Sequence, residues 1–441
     1  MKRTPAISLL AALLLTAGCG DAGSPSRAAE EPGLPSSAAE PDAATTTTLG
    51  ATPPSAPVDA TAPTAAPIPP QRGTIIEARL VRETAREELQ ALADEIQLPG
   101  VTHVRHGLDW WRIEYWTIDP FGEPTPASGT VIVPDGLTGP APVISDQHGT
   151  QTLRMPPSDD PMAQEVFAAG LLFGTRGAIV VGADYLGFGS SELVHPYYHA
   201  ASEGSAATDM LVAARSAAAD MGVQWSGQLF LTGYSQGAHV TMAMHRELEA
   251  RPELGFEVTA SVAMAGAYDL VDISVPLSLA TPSASTPLYL AYAMYGLHSA
   301  GAITSELDQI FAEGWQEQVP RLFDGTVAAE QIAAVLPTDP QALFTQDVLD
   351  QLTSGQGPIA DVLRANSVMD WTPRAPIRII HGTDDRDVPV ENARAIVERM
   401  TSRGADVELV LLDGLDHATA SMPAYLDAAA WITALIDTSA P

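Results

Sequence analysis

Residues 228–239 read QLFLTGYSQGAH, and this stretch decides how the rest of the chain is interpreted. Its apolar start resembles a buried strand, and GYSQG then places Ser235 between two glycines in the pattern GxSxG. The pattern alone is weak evidence, because a chain rich in Gly and Ser can contain it by chance. It gains weight where a strand precedes the serine and a helix follows it. Ser235 is therefore either a catalytic nucleophile or a surface serine in a glycine-rich turn.

Short apolar runs alternate with helical stretches from Gly73 to the end of the chain. Each run ends in glycine or a polar turn, as buried strands joined by crossover helices do. The pattern predicts the α/β class, with a mostly parallel central sheet and helices on both faces. The predicted strands are RIEYWTID, GTVIVP, APVISDQHG, GAIVVGAD, GQLFLTG, VTASVAMAG, PIRIIHG and VELVLLDG, and the predicted helices cover residues 206–219, 239–248, 391–400 and 424–436.

Residues 271–371 interrupt this alternation. They contain no convincing strand and several short amphipathic segments, such as SELDQIFAEGW and DVLDQL. We expect a helical cap insertion before the strand PIRIIHG, packed over the carboxyl edge of the sheet, where function collects in such folds. The tyrosine-bearing segment LYLAYAMYGL is either a binding surface or core.

A serine hydroxyl is a poor nucleophile and needs a histidine base that an acid orients. The histidines after Ser235 are His245, His298, His381 and His417. His417 follows the last predicted strand and precedes the final predicted helix, which is the expected place for the base. His245 lies on the helix that the serine begins and is expected to point away, His298 lies in the insertion, and His381 ends a strand.

The acid is expected in the loop GTDDRDVP, which follows His381. Asp384, Asp385 and Asp387 all compete for this role. The spacing HGxxDxxVP selects Asp385, because Val388 and Pro389 follow it at the right distance.

Residues 74–441 resemble the α/β-hydrolase superfamily of serine hydrolases, in which nucleophile, acid and base occur in this order. The segments QHGT (147–150), DYLGFGSS (184–191) and HPYYH (195–199), with the long insertion after AYDL, resemble the secretory lipase group of esterases and lipases. The resemblance implies an α/β-hydrolase fold with a helical cap. It also implies that Ser235 is the nucleophile, His417 the general base and Asp385 its orienting acid, with the backbone N–H groups of Gln236 and Thr150 as the oxyanion hole.

The activity that the resemblance implies is hydrolysis of carboxylic esters through an acyl-enzyme intermediate, with apolar acyl groups favoured and no metal or organic cofactor. A serine aminopeptidase of the same fold uses an identical triad, and an inactive binding protein on this scaffold is a further alternative. HPYYH carries two histidines four residues apart, so it is either a metal pair or structural packing, although Pro196 argues against a helix there. His148 is expected to brace the oxyanion loop.

The composition narrows the class of partner. The chain has 441 residues, 46% of them hydrophobic and 17% charged, as a globular protein does. Its 54 acidic and 22 basic side chains give a formal net charge of −32, which argues against binding to nucleic acid or to anionic lipid. The expected partner is a small-molecule or lipid-like ester, and the oligomeric state stays open.

The N-terminus predicts export. Lys2 and Arg3 precede an apolar run from Ile7 to Leu15, and TAGC then ends at Cys19, the only cysteine of the chain. This pattern resembles a lipoprotein signal peptide over residues 1–19, with Cys19 lipidated as a membrane anchor; an ordinary signal peptide cut nearby is the alternative. Residues 20–73 are rich in Ala, Pro and Thr and predict a disordered tether, and residues 74–441 form the predicted hydrolase domain.

Overall fold

The computed structural model describes residues 70–98, 101, 103–154 and 165–438. The predicted signal peptide, its Cys19 and the tether up to residue 69 lie outside these residues. Arg72 and Gly73, which the sequence assigned to the tether, are joined to the domain. The Gly73 N–H donates to the carbonyl of Trp116 at 2.7 Å, and the Arg72 guanidinium pairs with Asp209 at 2.8 Å and Glu247 at 2.7 Å.

Within the described residues, one sheet of nine strands lies at the centre of the domain, in the order β1-β2-β3-β5-β4-β6-β7-β8-β9. From β5 to β9 every neighbouring pair is parallel, whereas β1, β2 and β3 pair antiparallel and β3 joins β5 antiparallel. The predicted mostly parallel sheet is therefore confirmed. The strands are β1 (Ile75–Thr84), β2 (Leu108–Ile118), β3 (Pro124–Pro134), β4 (Ala141–Gln147), β5 (Ile179–Ala183), β6 (Trp225–Tyr234), β7 (Val258–Met264), β8 (Ile377–Gly382) and β9 (Val407–Leu412).

Helices cover both faces of the sheet, because successive side chains of a strand point to opposite faces. On β6, Phe230 packs into one apolar layer and Leu229 and Leu231 into the other. The first layer holds α1 (Arg86–Ile96), α2 (Glu165–Leu172) and α13 (His417–Thr438). The opposite face holds α3 (Ala200–Ala217), α4 (Gln236–Ala250) and α12 (Glu391–Thr401). Burial on both faces explains why the parallel strands are continuous apolar runs.

The insertion between β7 and β8 is helical, as predicted, and has an apolar core of its own. It begins with a π-helical turn at Leu270–Ser274. In this fully described stretch seven α-helices follow, with a 3₁₀ turn at Pro340–Leu343: α5 (Val275–Ala280), α6 (Thr286–Ser299), α7 (Leu307–Ile310), α8 (Trp315–Leu322), α9 (Ala329–Val335), α10 (Gln346–Ser354) and α11 (Pro358–Asn366). The segment LYLAYAMYGL forms most of α6. Among the described residues, no helix combines the length and apolar character that crossing a membrane requires.

The sequence missed β1, α1 and α2. β1 is an edge strand with mostly exposed side chains, so IIEARLVRET lacks the alternation that marks a half-buried strand. Three helix starts were also misplaced, because α3 begins at Ala200 instead of residue 206, α4 at Gln236 instead of residue 239, and α13 at His417 instead of residue 424. Pro423 lies inside α13 and made the earlier start difficult to recognise.

Candidate active site

The turn between β6 and α4 holds Ser235 in a backbone conformation that non-glycine residues rarely adopt. Its φ is 58° and its ψ is −119°. Such a conformation costs roughly 1–3 kcal/mol and persists only where the surrounding structure fixes it. The Ser235 N–H donates to the carbonyl of Met264 on β7 at 2.8 Å, and its own carbonyl accepts from Ala238 N–H at 3.0 Å.

The two glycines of GYSQG are required by close backbone approach. A Cβ on Gly237 would lie 1.9 Å from the carbonyl oxygen of Gln147, and one on Gly233 would lie 2.4 Å from the carbonyl oxygen of Gly237. Real Cβ atoms essentially never come closer than 3.0 Å to such atoms. The two glycines of GxSxG thus lie where the backbones of β6, α4 and the loop after β4 are in close contact.

Ser235, His417 and Asp385 lie in one hydrogen-bonded chain. His417 Nε2 is 2.9 Å from Ser235 Oγ, and His417 Nδ1 is 2.7 Å from Asp385 Oδ2. Since a carboxylate only accepts, Nδ1–H donates to Asp385 and the lone pair of Nε2 faces the serine hydroxyl. All three side chains are buried. This geometry suits removal of a proton from the serine oxygen.

Of the three competing acids, Asp385 is the one that contacts His417. Its Oδ1 accepts from the N–H groups of Asp387 (3.0 Å) and Val388 (2.8 Å), so the loop itself holds the carboxylate. His381 Nε2 donates to the carbonyl of Val388 at 2.8 Å and lies 3.2 Å from Asp385 Oδ2. Asp384 is exposed and Asp387 is half-buried.

His417 is the first residue of α13, which corrects the expectation that it precedes the final helix. Asp416 accepts from the N–H of Thr419 at 2.8 Å, as an N-cap does. The sequence DHAT therefore contained the signal for this helix start. The Tyr234 hydroxyl donates to the carbonyl of His417, so β6 holds His417 as well as Ser235 in position.

Carboxylates surround His417 and shift its pKa. Burial lowers the pKa of His417, but the charge and hydrogen bond of Asp385, with the charges of Asp387 and Asp416, outweigh burial and raise that pKa to about 9. Burial likewise would raise the pKa of Asp385. The charge of His417 and the hydrogen bonds from His381 and His417 oppose burial and hold the pKa of Asp385 well below its usual range.

The two predicted oxyanion donors lie at the same end of the sheet. Gln236 is the first residue of α4, so its N–H is among those that a helix leaves without an intrahelical partner. Thr150 follows the carboxyl end of β4, whose loop contacts the serine turn at Gly237. The Thr150 hydroxyl lies 2.7 Å from the Tyr197 hydroxyl, which ties this loop to HPYYH.

The remaining histidines have separate environments. His148 stacks on Tyr185, with ring centroids 4.1 Å apart, and accepts at its carbonyl from the Tyr185 hydroxyl at 3.1 Å. This packing is compatible with the predicted bracing of the oxyanion loop. His245 is buried against Ser261 on β7, 3.0 Å from its hydroxyl, and His298 lies on α6.

HPYYH forms a turn before α3 and separates its two histidines. His195 contacts Gln236, whereas His199 contacts the hydroxyl of Ser202 at 2.7 Å. Within the part of the chain that the structure describes, no group of three or more His, Cys, Asp or Glu side chains is arranged to hold a metal ion.

A cavity of about 50 Å³ opens beside Ser235 and is lined largely by the insertion. Tyr289, Leu290 and Ala293 of α6 line it, and Leu290 and Ala293 also belong to the insertion's core, together with Tyr292 and Leu297 of the same helix, which do not line the cavity. LYLAYAMYGL is therefore both binding surface and core. The remaining lining residues are Tyr197, Tyr198, Ala267, Leu270, Ser274, Val275, Ser278, Leu363, Asp387 and Val388.

Sequence reasoning missed Glu203 and His239, which are buried side by side next to the serine turn. The signal was available but easily overlooked. Glu203 is a lone acid among small residues in AASEGSAAT, and His239 follows GYSQGA on the helix that the serine begins.

Comparisons with known proteins identify relatives that share this fold. The model of the secretory lipase family matches residues 163–440. A ligand-bound form of the rice cell wall degrading esterase LipA from Xanthomonas oryzae is 28% identical, with a TM-score of 0.74 over 84% of this chain and 100% of that chain. A protein from Legionella pneumophila is also 28% identical, with a TM-score of 0.78 over 83% of this chain and 99% of that chain. Candida antarctica lipase A shares the fold at 16% identity, with a TM-score of 0.63 over 84% of each chain. The predicted α/β-hydrolase fold is confirmed.

The contact at Gly237 makes a testable prediction. Gly237→Ala should lower the free energy of unfolding by about 2 kcal/mol or more, because its Cβ would overlap the Gln147 carbonyl and force the serine turn apart. Urea unfolding followed by circular dichroism measures this. Gly139→Ala is the matched control, since no atom lies within 4 Å of a Cβ there, and it should change stability by less than about 0.5 kcal/mol. Equal effects of the two substitutions would contradict the interpretation of the glycine pattern.

Proposed function

This chain belongs to the secretory lipase family, and we propose that it is an exported serine hydrolase that cleaves carboxylic esters through an acyl-enzyme intermediate. The observation that carries the proposal is the unbroken chain from Asp385 through His417 to Ser235. An inactive binding protein on this scaffold would be expected to have lost part of that chain.

In the first half-reaction, Ser235 Oγ attacks the ester carbonyl while His417 Nε2 accepts the hydroxyl proton. Asp385 holds the ring in the required tautomer and stabilises the imidazolium that forms. The N–H groups of Gln236 and Thr150 stabilise the charge that develops on the carbonyl oxygen. His417 then returns the proton to the leaving alcohol, which leaves the acyl group on Ser235.

In the second half-reaction, His417 accepts a proton from water, and the resulting hydroxide attacks the acyl-enzyme. The carbonyl–Oγ bond breaks, the serine recovers its proton, and the acid product leaves. The chain's own residues supply every proton transfer that ester hydrolysis requires, so the proposed reaction uses no cofactor.

The cavity beside Ser235 supports apolar acyl groups of limited length. Its lining is mainly aliphatic and aromatic, and a volume of about 50 Å³ is several times the ~10–15 Å³ that one water requires. We infer that short acyl groups, near butyryl, fit best, which narrows the broader preference for lipid-like esters. The related esterase from Xanthomonas oryzae is named for degrading rice cell walls.

One observation favours amides as a second candidate. An aminopeptidase needs an acid for the substrate's amino group, and Asp387 is the carboxylate that lines the cavity with Ser235. Asp387 also lies close enough to His417 to affect its titration, which gives it a role without any amino group. The ester proposal therefore stands first.

Export and anchoring rest on the N-terminal sequence and on the family. The charged start, the apolar run and Cys19 support a lipoprotein signal peptide, with the cell envelope as destination and secretion as the alternative.

The nucleophile is tested by burst kinetics with p-nitrophenyl butyrate. The native protein should release a burst of p-nitrophenol equal to the enzyme concentration, and Ser235→Ala should abolish it and lower kcat by roughly 10⁴-fold or more. Ser226→Ala, an exposed serine on the same strand, is the control and should retain the burst. Turnover that survives in Ser235→Ala would eliminate the mechanism.

The electrostatics of the base predict an alkaline activity profile. His417 acts only when it is neutral, so a raised pKa means that kcat/KM increases with pH past the ordinary histidine value of about 6.5, toward about 9. Asp387→Asn should shift this rising limb of the pH profile of kcat/KM to lower pH, because it removes one of the charges that stabilise the imidazolium. Asp384→Asn removes an exposed charge from the same loop and should leave the limb in place. If kcat/KM of Asp387→Asn rises over the same pH range as in the native protein, this electrostatic interpretation is refuted.

Acyl length and bond type are tested with a series of p-nitrophenyl esters and an aminoacyl p-nitroanilide. We expect kcat/KM to peak near butyrate and to decrease toward dodecanoate, with little cleavage of the anilide. Leu290→Ala enlarges the cavity and should move the optimum to longer chains. Leu297→Ala truncates a buried residue of the same helix that does not line the cavity, and should not. Preferred cleavage of the anilide would favour the aminopeptidase.

A further inference from the structure

A fully buried ion pair lies directly behind the serine turn. Glu203 of α3 and His239 of α4 are both 0% exposed, and Glu203 Oε2 is 2.8 Å from His239 Nδ1. The ring's other nitrogen, Nε2, is 2.9 Å from the carbonyl oxygen of Asn366, at the end of α11. Carboxylate and carbonyl oxygens are both acceptors, so this geometry fits an imidazolium that donates from both nitrogens.

The pair can remain charged in the core because each charge compensates the other. Burial alone would raise the pKa of Glu203, but the hydrogen bond and charge of His239, with further contributions from His195 and Gln236, outweigh burial and lower it. The pair also joins three parts of the fold. Asn366 accepts from Ala200 N–H at 3.0 Å through its side chain, so the end of the insertion is held to α3 and α4 together.

The second oxygen of Glu203 holds the residue that follows the nucleophile. Glu203 Oε1 accepts from Gln236 Nε2 at 2.8 Å, and Gln236 Nε2 also donates to His195 Nε2 at 2.7 Å. His195 can accept because burial lowers its pKa to about 4 and its Nδ1 donates to the carbonyl of Leu186 at 2.7 Å. Both hydrogens of the Gln236 amide are therefore used.

This arrangement fixes which way the Gln236 amide points. The reverse orientation would direct its oxygen at the Glu203 carboxylate. In the observed orientation Gln236 Oε1 is buried and has no hydrogen-bond partner among the described residues, a cost that the two donated bonds offset. Gln236 is thus held by its side chain immediately beside the strained backbone of Ser235.

We propose that the Glu203–His239 pair is a positioning device for the oxyanion hole, acting through Gln236. The inference rests on the proposed function, because it assigns Gln236 N–H to the developing oxyanion. A backbone N–H can stabilise that charge only when it is aimed before the reaction begins. The side chain of Gln236 supplies a second anchor for that peptide, and the charge of His239 neutralises a carboxylate that would otherwise oppose the oxyanion.

A three-variant cycle tests the proposal: Glu203→Gln, His239→Gln and the double variant. Glu203→Gln keeps an acceptor for Gln236 and leaves no uncompensated carboxylate, so it should lower kcat less than His239→Gln does. His239→Gln leaves the carboxylate uncompensated and should lower kcat on the order of 10–100-fold with little change in KM, somewhat less than the loss of a whole oxyanion donor. The double variant removes the uncompensated charge and should recover much of the loss.

A purely structural role makes a different prediction. His245→Gln is the matched control, because His245 is also buried on α4 and lies 3.1 Å from a glutamate, Glu249. It should lower stability without lowering the kcat of the folded protein. If His239→Gln behaves as His245→Gln does, or if the two single effects simply add, the proposal is overturned.

Binding of an alkyl boronic acid is a measurement that does not depend on the stability of the fold. Boron forms a tetrahedral adduct with the serine, so the affinity for the boronic acid reports on the oxyanion hole. His239→Gln should weaken this affinity about as much as it lowers kcat.

If the pair variants fail to fold, Gln236→Ala removes only the side-chain anchor and should lower kcat at similar KM. Full kcat in Gln236→Ala would overturn the proposal. Turnover that survives in Ser235→Ala would instead defeat the proposed function itself.

Discussion

The structure depends on one strained residue, Ser235, and on the backbone contacts that hold it. Its left-handed φ points the hydroxyl out of the turn, and the strain is sustained because β6, β7 and the loop after β4 all contact the same few atoms. Gly237 allows the closest of these contacts, with the carbonyl of Gln147. The proposed nucleophile and the proposed oxyanion donors are therefore set by a single packing arrangement, since QHGT continues from that carbonyl to Thr150.

Histidine–carboxylate pairs occur on both sides of this turn, and their geometries differ in a way that matters chemically. His417 has an acceptor on one nitrogen and a hydroxyl on the other, so its ring can exchange a proton with the serine. His239 has an oxygen acceptor on each nitrogen, so neither nitrogen faces a hydroxyl whose proton it could remove. The same two residue types thus suit one site for proton transfer and the other for fixed charge.

Much of the candidate site could be predicted from the order of strands and motifs along the sequence. Parallel strands buried on both faces are continuous apolar runs, so the strand ends could be located, and Ser235, Asp385 and His417 each lie at or just after one. Assemblies that depend on tertiary contact could not be located in this way. Glu203 and His239 are 36 residues apart, and neither their spacing nor their neighbours indicates that α3 and α4 bring them together. The edge strand β1 was missed for a related reason, because its exposed side chains carry no periodic signal.

The insertion connects substrate choice to this machinery. α6 supplies Tyr289, Leu290 and Ala293 to the cavity wall beside Ser235, while the end of α11 binds His239 through the carbonyl of Asn366. A change in how the insertion packs would therefore act on two sites at once: on the space available to the acyl group and, through the buried pair, on Gln236. Large substitutions in the insertion that are made to widen the proposed acyl pocket are for this reason expected to alter kcat as well as chain-length preference.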